Sequence, residues 1–410
     1  MVARYRTKVQ AVIKMKNQIL HTPDGVRDIY NGECKKKLVL QDKLLASLRS
    51  FGCQDIETPS FEFFDVFGKQ IGTTPSKDLY KFFDKNGNTL VLRPDFTPSI
   101  ARCAVKYYMD EALPVRLCYM GNTFSNSSDY QGRFKEVTQC GAELIGDPSV
   151  YADAEILAMM VETLLASGLK EFQIAVGHSQ FFSSLVRAAK VSDESEEALI
   201  DYLLNKNFFG VEEVLKNYDL DEDLLFLFSL LGKFDNTAED LELALKKAEK
   251  YEEAKEALLE LVNLFKCLDV YGISKYISFE LGIISDYKYY TGIIFAGYTY
   301  GTGEAIVKGG RYDKLLKQFG KDCPAIGFAI VVDQLMAAIS RQKIEIAVKN
   351  QNVHIVFKEN CFEKAIERAL CLRKNGSQVE TILWKENVSK EAYEALAQQK
   401  NINTVEFLEN

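Results

Sequence analysis

Helical period appears first along the chain. Beyond the turn residues Pro23-Asp24-Gly25, Leu38, Leu44, Leu45 and Leu48 recur at spacings of seven, four and three. This predicts a helix from a cap at Asn31 to about Ser50, ended by Gly52. The pattern then shifts to strand and turn. Cys53 to Phe67 reads as a strand running into a proline-marked turn and an aromatic-rich segment, with plain core as its simplest use. Asn86-Gly87 between two apolar runs marks a hairpin, and its second strand ends on Arg93-Pro94-Asp95. Two charged side chains leaving an apolar strand are either an ion pair or the wall of a pocket; taken alone, the ion pair is favoured. Thr97 and Pro98 then open a helix, as its cap and its first residue.

The stretch Arg116 to Gly146 is the one around which the chain is organised. Two strands, Arg116 to Phe124 and Lys135 to Leu144, flank a polar loop of Ser, Asn, Asp and Gly. Residues two and four apart share a strand face, so Gln139 and Glu143 point the same way, with Gly141 leaving bare backbone between them. The pattern fits a small polar pocket and a merely wet outer face equally well. A helix is predicted from Asp147-Pro148 to about Ser167, with Val150, Ala154, Leu157, Val161, Leu164 and Leu165 on one side and Gly168 as its stop. The strand Phe172 to Val176 ends at Gly177-His178, where a lone histidine is ordinarily a structural group.

From about Phe181 to Tyr271 the chain becomes acidic and leucine-rich, with helical period and almost no strand signal, which reads as a helical insertion over about 181–271. Strands return at Ile277 to Ile284 and on both sides of the turn Tyr300-Gly301-Thr302-Gly303. Gly309-Gly310, ahead of Arg311, lets backbone come close to a ligand or a neighbouring strand. Cys323 to Ile339 gives a strand ending in a helix. The remainder, 341–410, alternates as a small α/β unit: strand Val353 to Phe357, helix Phe362 to Lys374 closed by Gly376, strand Val379 to Trp384, helix Lys390 to Gln399, strand Ile402 to Phe407.

Composition narrows the class. At 410 residues, 47% hydrophobic and 26% charged, the chain has ordinary globular composition and room for two or three domains. A net charge of -8 gives no sequence-wide electrostatic reason to hold tRNA or other nucleic acid. Nine cysteines without a CxxC pair, beside three histidines, argue for a reducing cytoplasm and against a structural zinc site. No apolar run is long enough to span a bilayer, and the basic start lacks the apolar region of a signal peptide, so residues 1–14 read as a tail or an early start codon.

Several motifs, in fixed order, resemble the catalytic core of a class II histidyl-tRNA synthetase: LRPDFTP (Leu92 to Pro98), GRFKEVTQCGAELIG (Gly132 to Gly146), YYTGIIF (Tyr289 to Phe295), GGRYD (Gly309 to Asp313) and PAIGFAI (Pro324 to Ile330). The resemblance covers about residues 19 to 340. It implies an α+β fold: an antiparallel sheet with flanking helices, a helical insertion, and a dimer formed through the first motif region. The domain plan it implies is a synthetase-like core over 15–340 and a C-terminal α/β unit over 341–410. By residue-for-residue transfer it also implies a histidine pocket lined by Asp95, Thr97, Gln139, Glu143, Tyr289 and Tyr290. Strand alternation would send the two adjacent tyrosines to opposite faces, leaving one for the core.

Departures from the synthetase pattern are specific. Ser125 stands where the family carries the arginine after Phe124 that binds the ATP α-phosphate, and Asp333-Gln334 stands where the third motif ends in Glu-Arg. Ser285 replaces a further arginine, and Lys288 an acidic residue. A neutral hydroxyl cannot supply a bidentate, permanently charged contact, and losing one such contact typically costs about 10²–10³ in rate. Aminoacylation is therefore expected to be absent, and no catalytic residue, metal or cofactor is assigned. What remains is similar to the regulatory subunits of ATP phosphoribosyltransferase. That resemblance implies a short-form catalytic subunit as partner, a hetero-octameric complex, histidine as effector, and a role at the first step of histidine biosynthesis. A divergent histidyl-tRNA synthetase is the alternative.

Overall fold

The computed structural model describes residues 20–68, 74–108, 113–126, 134–284, 289–348 and 352–409. They fall into two units, Met1–Ile346 and Ala347–Asn410. The 1–14 tail, most of the polar loop after Phe124, Ser285 and Lys288 lie outside the described residues.

The first unit is built on an eight-stranded sheet in the order β1-β5-β6-β11-β10-β9-β7-β8. The strands are β1 (Gln54–Asp55), β5 (Val115–Phe124), β6 (Glu136–Ile145), β7 (Phe172–His178), β8 (Ile277–Phe279), β9 (Ile293–Thr299), β10 (Val307–Arg311) and β11 (Ala325–Val331). The six central strands run antiparallel, and β1 and β8 are added parallel at the two edges. The fold is α+β, an antiparallel sheet with flanking helices, as its motifs imply.

Alternation divides the sheet into two faces with separate cores. Cys118, Cys140, Ala142, Leu144, Ile326, Phe328 and Ile330 point to one side and pack with α1 (Asn31–Ser50) and α3 (Val150–Ala166). Leu117, Tyr119 and Ile145 point to the other, under α2 (Thr97–Tyr107), with Phe96, Ile100, Tyr289 and Tyr312. The second face is where the sheet is least covered by apolar side chains, and a cavity opens there.

Helix ends depart from the sequence expectations. Asn31 does not cap α1: Tyr30 occupies that position without a side-chain bond, and Asn31 has φ +49°. The buried stripe of α1 is Leu40, Leu44 and Leu48, whereas Leu38 is 55% exposed. A strict four-residue repeat is a narrower seam than the pattern that included Leu38. Thr97 does not cap α2 either; Phe96 precedes the helix, and the Thr97 hydroxyl points into the sheet. Ser149 caps α3 through the Ala152 N–H.

Cys53 to Phe67 is core only at its ends, where Cys53, Val66 and Phe67 are buried. It forms β1, the three-residue β2 (Phe61–Phe63) and a 3₁₀ turn, and β2 joins β3 (Lys81–Phe83) and β4 (Thr89–Leu92) in a small antiparallel sheet. The alternation there is inverted: Phe61 and Phe63 are exposed, while Glu62 is buried with its carboxylate 2.7 Å from Arg102. Arg93, at the end of β4, forms no pair with Asp95. It donates to the carbonyls of Thr58 (2.7 Å) and Asn122 (2.8 Å) and lies over the Phe96 ring.

Between β7 and β8 the chain runs through α4 (Ser179–Ala188), α5 (Asp193–Leu204), α6 (Phe208–Leu215), α7 (Glu222–Ser229), α8 (Ala238–Lys247) and α9 (Glu252–Tyr271). His178 caps α4, accepting from the Gln180 N–H at Nδ1, and its Nε2 stands 2.9 Å from Glu260 on α9. Helix α10 (Val332–Arg341) leaves β11 directly. The second unit is a parallel sheet in the order β13-β12-β14, formed by β12 (Asn352–Phe357), β13 (Gln378–Leu383) and β14 (Thr404–Leu408). Helix α11 (Phe362–Lys374) buries Ala365 and Ala369 against Val353, Ile355 and Phe357, and α12 (Lys390–Gln399) links β13 to β14.

Candidate functional site

The uncovered face of the sheet carries an open cavity of about 910 Å³. Its floor has few side chains. Gly141 on β6, Gly327 and Ala329 on β11, Gly310 on β10 and Ala296 on β9 lie on that face by register. At Gly327 the space is already filled, since a Cβ there would stand 1.7 Å from Glu143 Oε2. A glycine is what allows the Glu143 side chain to lie flat across the neighbouring strand. At Gly310 a Cβ would press on the Tyr290 ring and the Ile293 carbonyl, so the paired glycines serve close approach of protein to protein.

Five of the six residues expected at the site, Asp95, Thr97, Gln139, Tyr289 and Tyr290, line the cavity. Glu143 lies just behind the wall, 1% exposed. Its Oε1 accepts from the Thr97 hydroxyl at 2.9 Å and its Oε2 from the Tyr312 hydroxyl at 2.5 Å. Burial pushes its carboxyl up to about 8, the two hydroxyl donors pull the other way, and nearby Asp95 adds to the rise. Asp95 is also buried, and burial raises its carboxyl too; its oxygens accept from the Thr97 N–H (3.3 Å) and the Tyr289 hydroxyl (3.5 Å). Gln139 Oε1 is buried without a donor among the described residues.

The tyrosines correct one expectation. Tyr289 and Tyr290 precede β9 rather than lie on a strand, so alternation does not separate them, and both line the cavity with their rings 4.7 Å apart. Tyr312 is a site residue that sequence reasoning misses, although GGRYD holds the signal. Its hydroxyl is a direct partner of Glu143, and its ring packs edge-on to Tyr289.

The adjoining cavity, about 260 Å³, is lined by Arg27, Lys37, Asn122, Glu136, Thr138 and Asp333 among others. Several of its polar groups are paired with one another. Asp333 accepts from Lys37 Nζ at 2.8 Å and the Thr138 N–H at 2.7 Å, while Glu136 accepts from Asn122 at 2.7 Å. Gln334 lines the larger cavity as a neutral amide. Two buried carboxylates, hydroxyls and an orphan amide oxygen suit a small ligand bearing an ammonium or N–H groups. Among the described residues no cluster of His, Cys, Asp or Glu could hold a metal ion.

Fold and cavity together define a protein of the histidyl-tRNA synthetase type, and residues 25–335 match the histidyl-tRNA synthetase family. A histidyl-tRNA synthetase from Nostoc shares the fold, with a TM-score of 0.75 at 20% identity. More similar are two ATP phosphoribosyltransferase regulatory subunits. That of Acetivibrio thermocellus is 38% identical over 88% of this chain and 86% of its own length, and that of Caldanaerobacter subterraneus 38% identical over 92% and 98%. A crystal structure from Bacillus halodurans, described as an ATP phosphoribosyltransferase regulatory subunit/histidyl-tRNA synthetase, superposes with a TM-score of 0.81 at 31% identity, covering 95% of this chain and 98% of that one. Within the synthetase-type fold, this chain belongs to the ATP phosphoribosyltransferase regulatory subunits.

Proposed function

We propose that this protein acts without catalysis of its own, as the regulatory subunit that a short-form ATP phosphoribosyltransferase catalytic subunit requires for activity and for feedback inhibition by histidine, at the first step of histidine biosynthesis. Asp95, Thr97, Gln139, Glu143, Tyr289 and Tyr290 form the histidine site, with Tyr312 holding Glu143. The observation that carries the reading is the pocket itself: paired carboxylates and an orphan amide oxygen suit the amino group and imidazole of histidine, while Ser125 and Gln334 stand where a synthetase would hold ATP with arginines. Asp333, tied to Lys37 and the Thr138 N–H, is likewise committed to the protein. The working assembly in this reading is a hetero-octamer with the catalytic subunit, built on self-dimers. All nine cysteines are free, which suits a reducing cytoplasm. No helix among the described residues is long and apolar enough to cross a membrane.

The test is phosphoribosyl-ATP formation by a short-form catalytic subunit from the same source, with and without this protein. Activation that added histidine then suppresses is the expected result, and an unchanged rate would overturn the proposal. The alternative, a divergent histidyl-tRNA synthetase, predicts histidine-dependent exchange of pyrophosphate into ATP; the proposal expects none.

A further inference from the structure

Lys308 occupies an unusual place in the cavity. It stands near the middle of the sheet on β10, opposite Ala329 on β11 and Ala296 on β9, and beyond these lie Gly141 and Ala175. A long cationic side chain thus rises from a row of residues with almost no side chains. The row carrying Glu143, Gly327, Gly310 and Ile294 lies two residues further along each strand, about 7 Å away. The cavity therefore has an acidic end at Asp95 and Glu143 and a cation set apart from it.

The other charges around the cavity are already engaged. Arg341 donates to the Gly301 carbonyl, Asp333 is held by Lys37 and Thr138, and Glu304 also has a partner. For Lys308 no acceptor is found among the described residues, and its side chain is exposed to the cavity. An ammonium without an acceptor among the described residues, on a bare floor in the cavity that Asp95 also lines, is complementary to a molecule that carries both signs of charge.

Resting on the proposal that the pocket holds histidine, we infer that Lys308 binds the carboxylate of that amino acid, while Asp95 and Glu143 take its amino and imidazole N–H groups. The pocket then selects for the free amino acid over derivatives that lack the acid group.

Calorimetric titration of the full-length protein with L-histidine and with L-histidinol, which has an alcohol in place of the carboxylate, tests this. A charge-assisted hydrogen bond predicts that K308M lowers the histidine-to-histidinol affinity ratio about tenfold, chiefly through weaker histidine binding, and that K308R restores part of the ratio. A K308M protein that keeps the wild-type ratio, or weakens on both ligands equally, overturns the assignment while leaving the histidine site standing. Wild-type protein that binds neither ligand overturns the histidine reading and this assignment with it.

Discussion

Glu143 places a carboxyl in the interior, 1% exposed, where its ionised form is costly. Its ordinary carboxylate value is 4.5, and burial lifts it to about 8 in the folded chain. Between those two values the unfolded chain releases the proton and the folded chain retains it, so stability falls as pH rises through that window and levels off above it. Glu143→Gln removes the penalty. The variant should lose this part of the pH dependence and melt above the wild type at pH 8.5, by an amount worth a few kcal/mol, with little difference at pH 4.5. Melting curves that keep the wild-type pH slope would show that Glu143 is ionised in the empty pocket. In the proposed site, an ammonium or imidazolium ligand would offset the same penalty. Gln139 and Glu143 were legible as same-face neighbours because strand period is two. Tyr312 as the partner of Glu143 was not, because a contact between β6 and the end of β10 leaves no local spacing to read.

At the scale of elements, Arg311 ties β10 to α3. From the end of β10 it donates to Asp153 of α3 at 2.6 and 2.9 Å and to the Asp147 carbonyl at 3.1 Å, with the Arg311 and Asp153 side chains both buried. Burial pushes Asp153 up to about 6 against the pull of the guanidinium, so the pair is costly to form and costly to break. Asp153→Ala leaves the buried Arg311 with only Asp313, at 3.2 Å, and two main-chain carbonyls as partners; it should lower unfolding free energy by about 3 kcal/mol in denaturant titration, while the double change of Asp153 to Ala and Arg311 to Met should cost less than that single change. A single variant within about 1 kcal/mol of wild type, the effect of a surface ion pair, would mean that the pair is solvated. Hairpins were readable from turn chemistry: Asn86-Gly87 joins β3 to β4, with Gly87 at φ +83°. The inverted β2 was not. Its phenylalanines read as core by composition, but Arg102 on α2 fixes Glu62 inward, and a one-residue choice of face then turns both rings outward.

For the whole molecule, every proposed site residue lies in the first unit, before Ile346. A chain ended after residue 346 should therefore bind histidine within about twofold of the full-length protein, by the same calorimetry; a loss of about tenfold or more would place part of the site's support in the second unit. The sequence by itself determined the α+β class, the order of strands and helices, the run of helices between β7 and β8, and the family. Those depend on periods, turns and motif order, which are local quantities repeated along one chain. Tertiary structure decided the rest. That Arg93 serves carbonyls rather than Asp95, that Tyr289 and Tyr290 share one cavity, and that Lys308 faces that cavity among alanines and glycines all depend on register between strands distant in sequence. Register is set by the packing of two whole faces at once, and no single segment encodes it.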